Sequence, residues 1–440
     1  MNKVWSEINA GAMPKTMRTL WALAMGDAYG VAFEFMTRDE IGRKFSSNPN
    51  RSLRGGVFGF DRGAFSDDTE MASLTLYSLH TRGCVDTEHL RRLYVAWAYV
   101  AKDVGVQTYQ ALINNTINYK GEGNGALVRI LPAVAYMSEV WGWDSEKIKL
   151  HCAAISSITH DNYRIHAVND FCIDLMLGNA MRTHVELKSY FQQTNGVDGW
   201  IMNTLRIVYE ALNAPIRNFT DGLWHIVKQG GDTDTACAIY GAIRGYDNPN
   251  LIEDETMGLL LSNSSIAQLK DLFNMSLDQY CPDPTHANLI AGQYPGAKES
   301  IAHAIKIVTL IEDGIDVIVN LMEEEELERF TPYAPAIKFL KPDIEIYNQP
   351  IADMDIPSVS ELENILFILY QSSYKKVYVH CWTGDGRTGT VVGAYLVETG
   401  LNAKEALEQI RTQRQKTPFA YRPPLQTMEQ VAVVISRNWN

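Results

Sequence analysis

At 440 residues the chain exceeds the roughly 250 to 300 residues over which one hydrophobic core keeps growing, so two domains are expected. Hydrophobic residues make up 46% and charged residues 21%, the balance of a globular protein and not of a disordered one. The net charge of -13 stays negative on both sides of a division near residue 285, which excludes the basic surface that a nucleic-acid binder needs. Any anionic substrate must be held locally. Residues 1–20 contain no uninterrupted apolar stretch followed by a small-residue cleavage site, and no later stretch approaches 18 apolar residues. The expectation is an unexported protein with no membrane partner. Cys84, Cys152, Cys172, Cys237, Cys281 and Cys381 are scattered singly, without a CxxC pair, which suits a reducing cytoplasm.

From about Thr16 to Tyr280 apolar residues recur at three- and four-residue spacing, as in TMRTLWALAMG, MASLTLYSLH, LRRLYVAWAYV, IKLHCAAISSI and TACAIYGAIRGY. Gly, Asn, Asp and Pro clusters separate these stretches. The spacing predicts an all-α domain over 1–280. Within it, Ser66, Asp67 and Asp68 precede one predicted helix, and Asp232, Thr233, Asp234 and Thr235 precede another. Read singly, each cluster is a helix cap, and Asp67 with Glu70 makes an acceptable capping box. Together they set four carboxylates and several hydroxyls at two helix starts, a donor set suited to Mg2+ or Mn2+. Unpaired, those carboxylates repel one another.

The motifs GDAYGVAFEF, SDDTEMA, GNGALVR, THDNYRIH and GGDTDTACAIYGAIRG occur in that order across residues 20 to 246. Together they resemble the ADP-ribosylglycohydrolase family, the group of dinitrogenase-reductase-activating hydrolases. The resemblance implies a compact all-α bundle with two Mg2+ or Mn2+ ions held by Ser66, Asp67, Asp68, Asp232, Asp234 and Thr235. Ser66 stands where the family often has threonine. The ions would bind ribose hydroxyls and polarise the anomeric bond. Backbone amides of the Gly121 to Gly125 loop, closest to the family pattern at Asn124 and Gly125, would cradle a pyrophosphate, with a plain turn as the alternative. His160 would either contact the ligand or cap a helix. Glu34 matches a glutamate that gates the cleft and assists cleavage in some members; an acid on an exposed loop is the other reading. The implied substrate is an ADP-ribosylated protein or metabolite.

The segment YCPDPTHANLIAGQYPG breaks the helical rhythm and is the predicted boundary, with a second domain over 286–440. GIDVIVNL, DIEIYNQP and KKVYVHC read as short strands that alternate with helical stretches such as KESIAHAIKIVTLIED and SVSELENILFILYQS. An α/β domain with a mostly parallel sheet is expected. The acidic run Glu323 to Glu326 reads as a solvated helix start.

The strand KKVYVHC runs into the loop CWTGDGRTG and then a helix. A cysteine at such a junction sits in a positive field that favours its thiolate, the form that attacks phosphorus. Gly384 and Gly386 let successive amides turn inward, so Thr383, Gly384, Asp385 and Gly386 are the candidate oxyanion cradle. Arg387 can grip two phosphate oxygens, and Thr388 can hydrogen-bond the sulfur. HCxxGxxRTG resembles the signature of the protein tyrosine and dual-specificity phosphatases, and the resemblance extends over roughly residues 286 to 437 through NLIAGQYPG, VIVNLMEEEE and YNQPIADMDIPS. It implies Cys381 as nucleophile and a carboxylic acid on a separate loop, for which Asp353 is the candidate and Asp355 the alternative. A turn or capping aspartate is the plainer account of either. His380 is expected to order the loop and Gln426 to position water. The whole reads as a bifunctional hydrolase whose phosphatase part, free of cofactors, acts on a phosphorylated protein or small phosphoester. The alternative is a phosphatase behind a non-catalytic, ADP-ribose-sensing domain.

Overall fold

The computed structural model describes residues 13–179, 189, 194–216, 218–248, 251, 254–285, 287–418 and 421–437. Residues 1–12, read above for an export signal, and His286, the predicted start of the second domain, lie outside the described residues. The chain forms two compact units: residues up to Tyr94 with Ala101–Asn274, and Val95–Val100 with Met275 onward. Among the described residues no helix is long and apolar enough to cross a membrane.

In the first unit every described regular element is a helix. The helices Lys15–Gly30 and Thr233–Asp247 pack backbone to backbone because glycines on each face the main chain of the other. A Cβ on Gly26 would stand 2.1 Å from the Cys237 carbonyl oxygen, and one on Gly30 would stand 2.4 Å from that of Thr233. From the other side, Gly241 and Gly245 meet the Ala22 and Arg18 carbonyl oxygens at 2.1 and 2.5 Å. The four-residue spacing puts each pair on one helix face. Two acids ride on this crossing, Asp27 on one helix and Asp234 on the other. The helix Gly125–Glu139, buried continuously from Ala126 to Met137, runs through the core and carries Arg129.

The second unit is built on a five-stranded sheet in the order β1-β2-β5-β3-β4, with β1 Gln279–Tyr280, β2 Leu289–Gly292, β3 Val317–Asn320, β4 Glu345–Asn348 and β5 Val377–His380. All neighbours are parallel except β1, which runs antiparallel to β2. β3 and β5 are buried at every position, which is why VIVN and VYVH are continuous runs and do not alternate. The Pro- and Gly-rich segment after Tyr280 connects β1 to β2 and contains β2 itself. Register pairs Asn320 with both His380 and Asn348, aligning the carboxyl ends of three parallel strands. Cys381 follows directly from that edge, where open α/β sheets place their ligands.

Candidate active sites

The first site starts at Asp27, fully buried in the Lys15–Gly30 helix. Its carboxylate accepts the Ser66 amide at 3.0 and 3.1 Å, the Thr69 amide at 3.1 Å and the Thr69 hydroxyl at 2.5 Å. Asp27 thus fixes the turn that presents Asp67 and Asp68, and burial pushes its carboxyl up to about 6 against those hydrogen bonds. Ser66, and not Asp67, is the helix cap: its Oγ accepts the Asp68 amide at 3.4 Å. Asp232 occupies the cap position of the Thr233–Asp247 helix yet makes no side-chain cap. Its Oδ2 accepts instead from Asn124 Nδ2 at 2.9 Å, and the same nitrogen donates to Thr204 Oγ1 at 2.9 Å.

Six carboxylates, those of Glu34, Asp67, Asp68, Asp103, Asp232 and Asp234, line one cavity of about 420 Å³ together with Thr235 and His160. Ser66 is not part of that lining; its hydroxyl accepts the Asp68 amide. One oxygen each of Glu34, Asp103 and Asp234 lies within 4.8 Å of the others. Burial first, and the neighbouring acids after it, push Glu34 to about 8, Asp103 to about 6, and Asp67, Asp68 and Asp234 well above the carboxylate range. Asp68 Oδ2, Asp234 Oδ1 and Glu34 Oε2 are buried without a hydrogen-bond partner. An orphaned buried carboxylate oxygen is costly, and an all-oxygen set of this kind fits a hard divalent cation.

His160 also faces the cavity. Its Nδ1 is 2.6 Å from Thr159 Oγ1, and burial, then the Arg129 charge, hold the ring down at about 3, so it stays neutral. Arg129, which ends the GNGALVR motif, donates to the Ile155 and Ser156 carbonyls and to Thr159 Oγ1, fixing the shelf on which His160 sits. The helix that follows is capped by Asn162, so His160 is not a cap. Gly123, Asn124 and Gly125 line the cavity. The Asn124 amide, however, already donates to the Gly199 carbonyl at 3.1 Å and that of Gly121 to Asn118 at 3.0 Å, so these two cannot serve a cradle. Asn124 acts through its side chain on Asp232 instead. Glu34 is buried, and no exposed loop acid. Phe35 beside it is 60% exposed at the cavity wall with φ of 59°, a left-handed backbone that costs a phenylalanine about 1 to 2 kcal/mol.

In the second unit Cys381 is buried where β5 ends. Gly384, at φ of 78°, passes so close to Gly292 that a Cβ would stand 2.5 Å from its carbonyl carbon. The chain returns as the helix Gly386–Glu398, whose Arg387 is 2% exposed. Arg387 donates to Glu326 Oε2 at 2.5 Å and Oε1 at 3.0 Å and to the Ile351 carbonyl at 3.1 Å, and it pairs with Asp353 Oδ1 at 3.1 Å. The acidic run is therefore not wholly solvated: the helix Glu324–Leu327 turns Glu326 inward onto the arginine. Burial works against its ionisation, and the Arg387 hydrogen bonds overcome that, leaving the Glu326 carboxyl below its ordinary range.

Asp353 stands half-exposed beside this clamp. Asp355 bonds its own neighbour, the Ile356 amide, at 2.8 Å, while its carbonyl accepts Gln430 Nε2 at 3.2 Å. His380 bridges the Tyr333 hydroxyl at 3.0 Å and the Cys381 carbonyl at 3.1 Å, and burial lowers its ring to about 4. Thr388 Oγ1 is buried without a hydrogen-bond partner. The Asp385 carboxylate is in ion contact with Arg414 at 2.7 Å, and Arg414 reaches Asp278 at 2.7 Å and the Thr383 carbonyl at 3.3 Å. Asp385 therefore braces the loop with its side chain. Gln426 Oε1 lies 2.4 Å from where a Gly386 Cβ would sit, at the same loop.

Residues 11–247, more than half of the chain, match the family model described as ADP-ribosylglycohydrolase. The chain belongs to the ADP-ribosylglycohydrolase family. Residues 292–401 match a second family model, described as polymorphic toxin system, DSP-PTPase phosphatase. The chain is 27% identical over 254 residues to the ADP-ribosyl-[dinitrogen reductase] glycohydrolase of Rhodospirillum rubrum, a match covering 51% of this chain and 82% of that one. It is 25% identical over 308 residues to the ADP-ribosylarginine hydrolase Tri1 of Serratia proteamaculans, covering 61% and 81%. Over 76 residues it is 36% identical to a probable protein tyrosine phosphatase type IVA A of Dictyostelium discoideum, covering 16% and 45%. An ADP-ribosylglycohydrolase domain and a phosphatase domain thus share one chain. In the ADP-ribosylglycohydrolase domain, Asp27 and Asp103 join the site without having been assigned to it from sequence. Asp27 had a signal, as the acid that opens the GDAYGVAFEF motif; Asp103, in the loop before Gly105, had none.

Proposed function

We propose that the chain is a bifunctional hydrolase, releasing ADP-ribose from a modified side chain or small molecule with the aid of divalent cations, and hydrolysing a phosphomonoester through Cys381. The partnerless buried oxygens of Asp68, Asp234 and Glu34 around one cavity carry the first half of this reading. Asp67, Asp68, Asp232, Asp234 and Thr235, with Asp103 beside them, would hold two Mg2+ or Mn2+ ions, whose charge polarises the ribose hydroxyls and the anomeric bond when bound. Asp27 and Asn124 orient these ligands. The neutral His160 offers a ring nitrogen to the ligand. Glu34, whose carboxylate lies beside those of Asp103 and Asp234 in the cavity, is the acid placed to assist departure of the leaving nitrogen or oxygen. The names of the Rhodospirillum and Serratia relatives make an arginine N-glycoside the first linkage to try.

In the phosphatase reading, Cys381 Sγ attacks phosphorus as the bond to the substrate oxygen breaks, and Asp353 protonates that oxygen. Water then cleaves the thiophosphate, returning the thiolate and inorganic phosphate. The pre-oriented Arg387 supports this half: Glu326 holds its guanidinium from one side, and Asp353 stands 3.1 Å away. The Thr388 hydroxyl is available to the sulfur. All six cysteines are free, in keeping with a reducing, cytoplasmic setting.

A paired assay separates the halves. ADP-ribose release from arginine- and serine-linked peptides is followed with Mg2+ and with chelator, beside phosphatase turnover of wild type and Cys381→Ser. Glycohydrolase activity untouched by chelator would defeat the cation reading, and phosphate release surviving Cys381→Ser would defeat the thiolate.

A further inference from the structure

A second cavity, of about 390 Å³, adjoins the Cys381 loop, and its charged lining is three cations, Lys298, Lys306 and Arg329, against one anion, Glu299. That balance is opposite in sign to the net charge of -13 of the whole chain. Three connections tie it to the phosphate clamp. Trp382 follows Cys381, lines the cavity and is 51% exposed, while its carbonyl accepts the Tyr294 amide at 2.9 Å. The Phe330 ring meets Trp382 edge-on at 5.6 Å, completing an aromatic wall. Arg329 donates its amide to the carbonyl of Glu326, at 3.1 Å, and Glu326 is the residue that grips Arg387.

We propose that this cavity is a second anion subsite, and that the phosphatase site acts on small phosphomonoesters carrying a second phosphate. The reacting phosphate sits on the Cys381 loop, the other lies among Lys298, Lys306 and Arg329, and the connecting ring rests against Trp382. This inference rests on the phosphatase reading above. The volume is at the lower end of small-molecule sites, enough for a phosphorylated ring and too little for a folded partner. Arg329 presents a planar fork that matches two phosphate oxygens, and the lysines add mobile point charges. Burial holds the Lys306 ammonium below its ordinary range against the pull of Asp278 and Glu299, so an arriving anion favours its charged form. Only the reacting P–O bond is cleaved; water supplies the oxygen, and the second phosphate leaves on the product alcohol.

The test compares kcat/KM of the full chain for a nucleoside 3′,5′-bisphosphate and the matching 5′-monophosphate, and for a soluble inositol bisphosphate and its monophosphate. Para-nitrophenyl phosphate serves as the reference. At least one bisphosphate should be preferred by about tenfold or more. Lys298→Glu should erase that preference while changing para-nitrophenyl phosphate turnover less than about twofold, with the pair that responds separating nucleotide from inositol chemistry. Equal kcat/KM within both pairs, or a preference that survives Lys298→Glu and Arg329→Ala, overturns the subsite. Calorimetric titration of Cys381→Ser with the same ligands reads binding without turnover. Tighter binding of a bisphosphate, lost on adding Lys298→Glu, supports the subsite, and equal affinities overturn it. Absence of para-nitrophenyl phosphate hydrolysis in wild type defeats the phosphatase reading alone, since calorimetry still decides the subsite.

Discussion

The carboxylate cavity of the first unit and the Cys381 loop of the second handle buried charge in opposite ways. In the first, acids face acids: Asp68, Asp234 and Glu34 keep buried oxygens without partners, and their carboxyls are driven upward by burial and by one another. In the second, the central charge is already matched, Arg387 being held by Glu326 on two oxygens and by Asp353. On the proposed reading, the first arrangement would be completed by a cation and the second by an anion.

The sharpest break of this comparison is Cys381→Ser, expected to lower phosphate release by about 10^4-fold or more while leaving ADP-ribose release unchanged. Loss of both would mean the two activities are not separable as proposed. Next comes Asp234→Asn, expected to reduce cation-dependent ADP-ribose release on the order of 100-fold and to leave phosphatase turnover intact. In the phosphatase, Asp353→Asn should cost kcat about 10^2-fold and remove the alkaline-side fall of the pH profile, with Asp355→Asn changing kcat only slightly. The reverse ranking would move the general acid to Asp355. Gly30→Ala drives a Cβ to within 2.4 Å of the Thr233 carbonyl oxygen, a backbone atom that cannot swing aside, so a loss of about 1 to 3 kcal/mol should appear in the unfolding midpoint of the first unit.

The smallest effect is a pH dependence. Glu34, Asp27 and Asp103 are raised to about 8, 6 and 6 from ordinary values of 4.5, 3.8 and 3.8. The folded state therefore binds their protons more tightly than the unfolded one. Their contribution is fully present below about pH 4 and is lost as pH rises through about 6 to 8. Scanning calorimetry in chelator should give a Tm a few °C lower at about pH 8.5 than at about pH 5.5, and saturating Mg2+ or Mn2+ should offset the loss. A cation-free Tm that is flat across this range would remove the cost of charging buried carboxylates, on which the contrast with the Arg387 site depends.

Much of this architecture was legible because it rests on local pattern. Helical spacing gave the first unit's class, and the β-branched runs around Val317–Asn320, Glu345–Asn348 and Val377–His380 gave three of five strands. β1 is two residues long, too short for any periodicity to mark it. The misread positions depend on partners distant in sequence. Glu326 belongs to an acidic run whose neighbours are solvent-facing, and only the approach of Arg387, 61 residues later, buries it. Asn124 sits in a glycine-rich loop whose amides suggested a cradle, but Gly199 captures the Asn124 amide and Asp232 captures its side chain. Asp103 enters through folding alone.

The glycine-lined crossing of Lys15–Gly30 and Thr233–Asp247 also bears on motion. Because Gly26, Gly30, Gly241 and Gly245 bring main chain against main chain, the spacing between Asp27 and Asp234 is set by peptide groups, which have no rotamers to exchange. Amide hydrogens along this crossing should exchange through global opening even in chelator, while those near Phe35, at the cavity wall, exchange through local opening that a bound ligand suppresses. The acid-bearing frame would then be the rigid element of the site, and the wall around it the part that breathes.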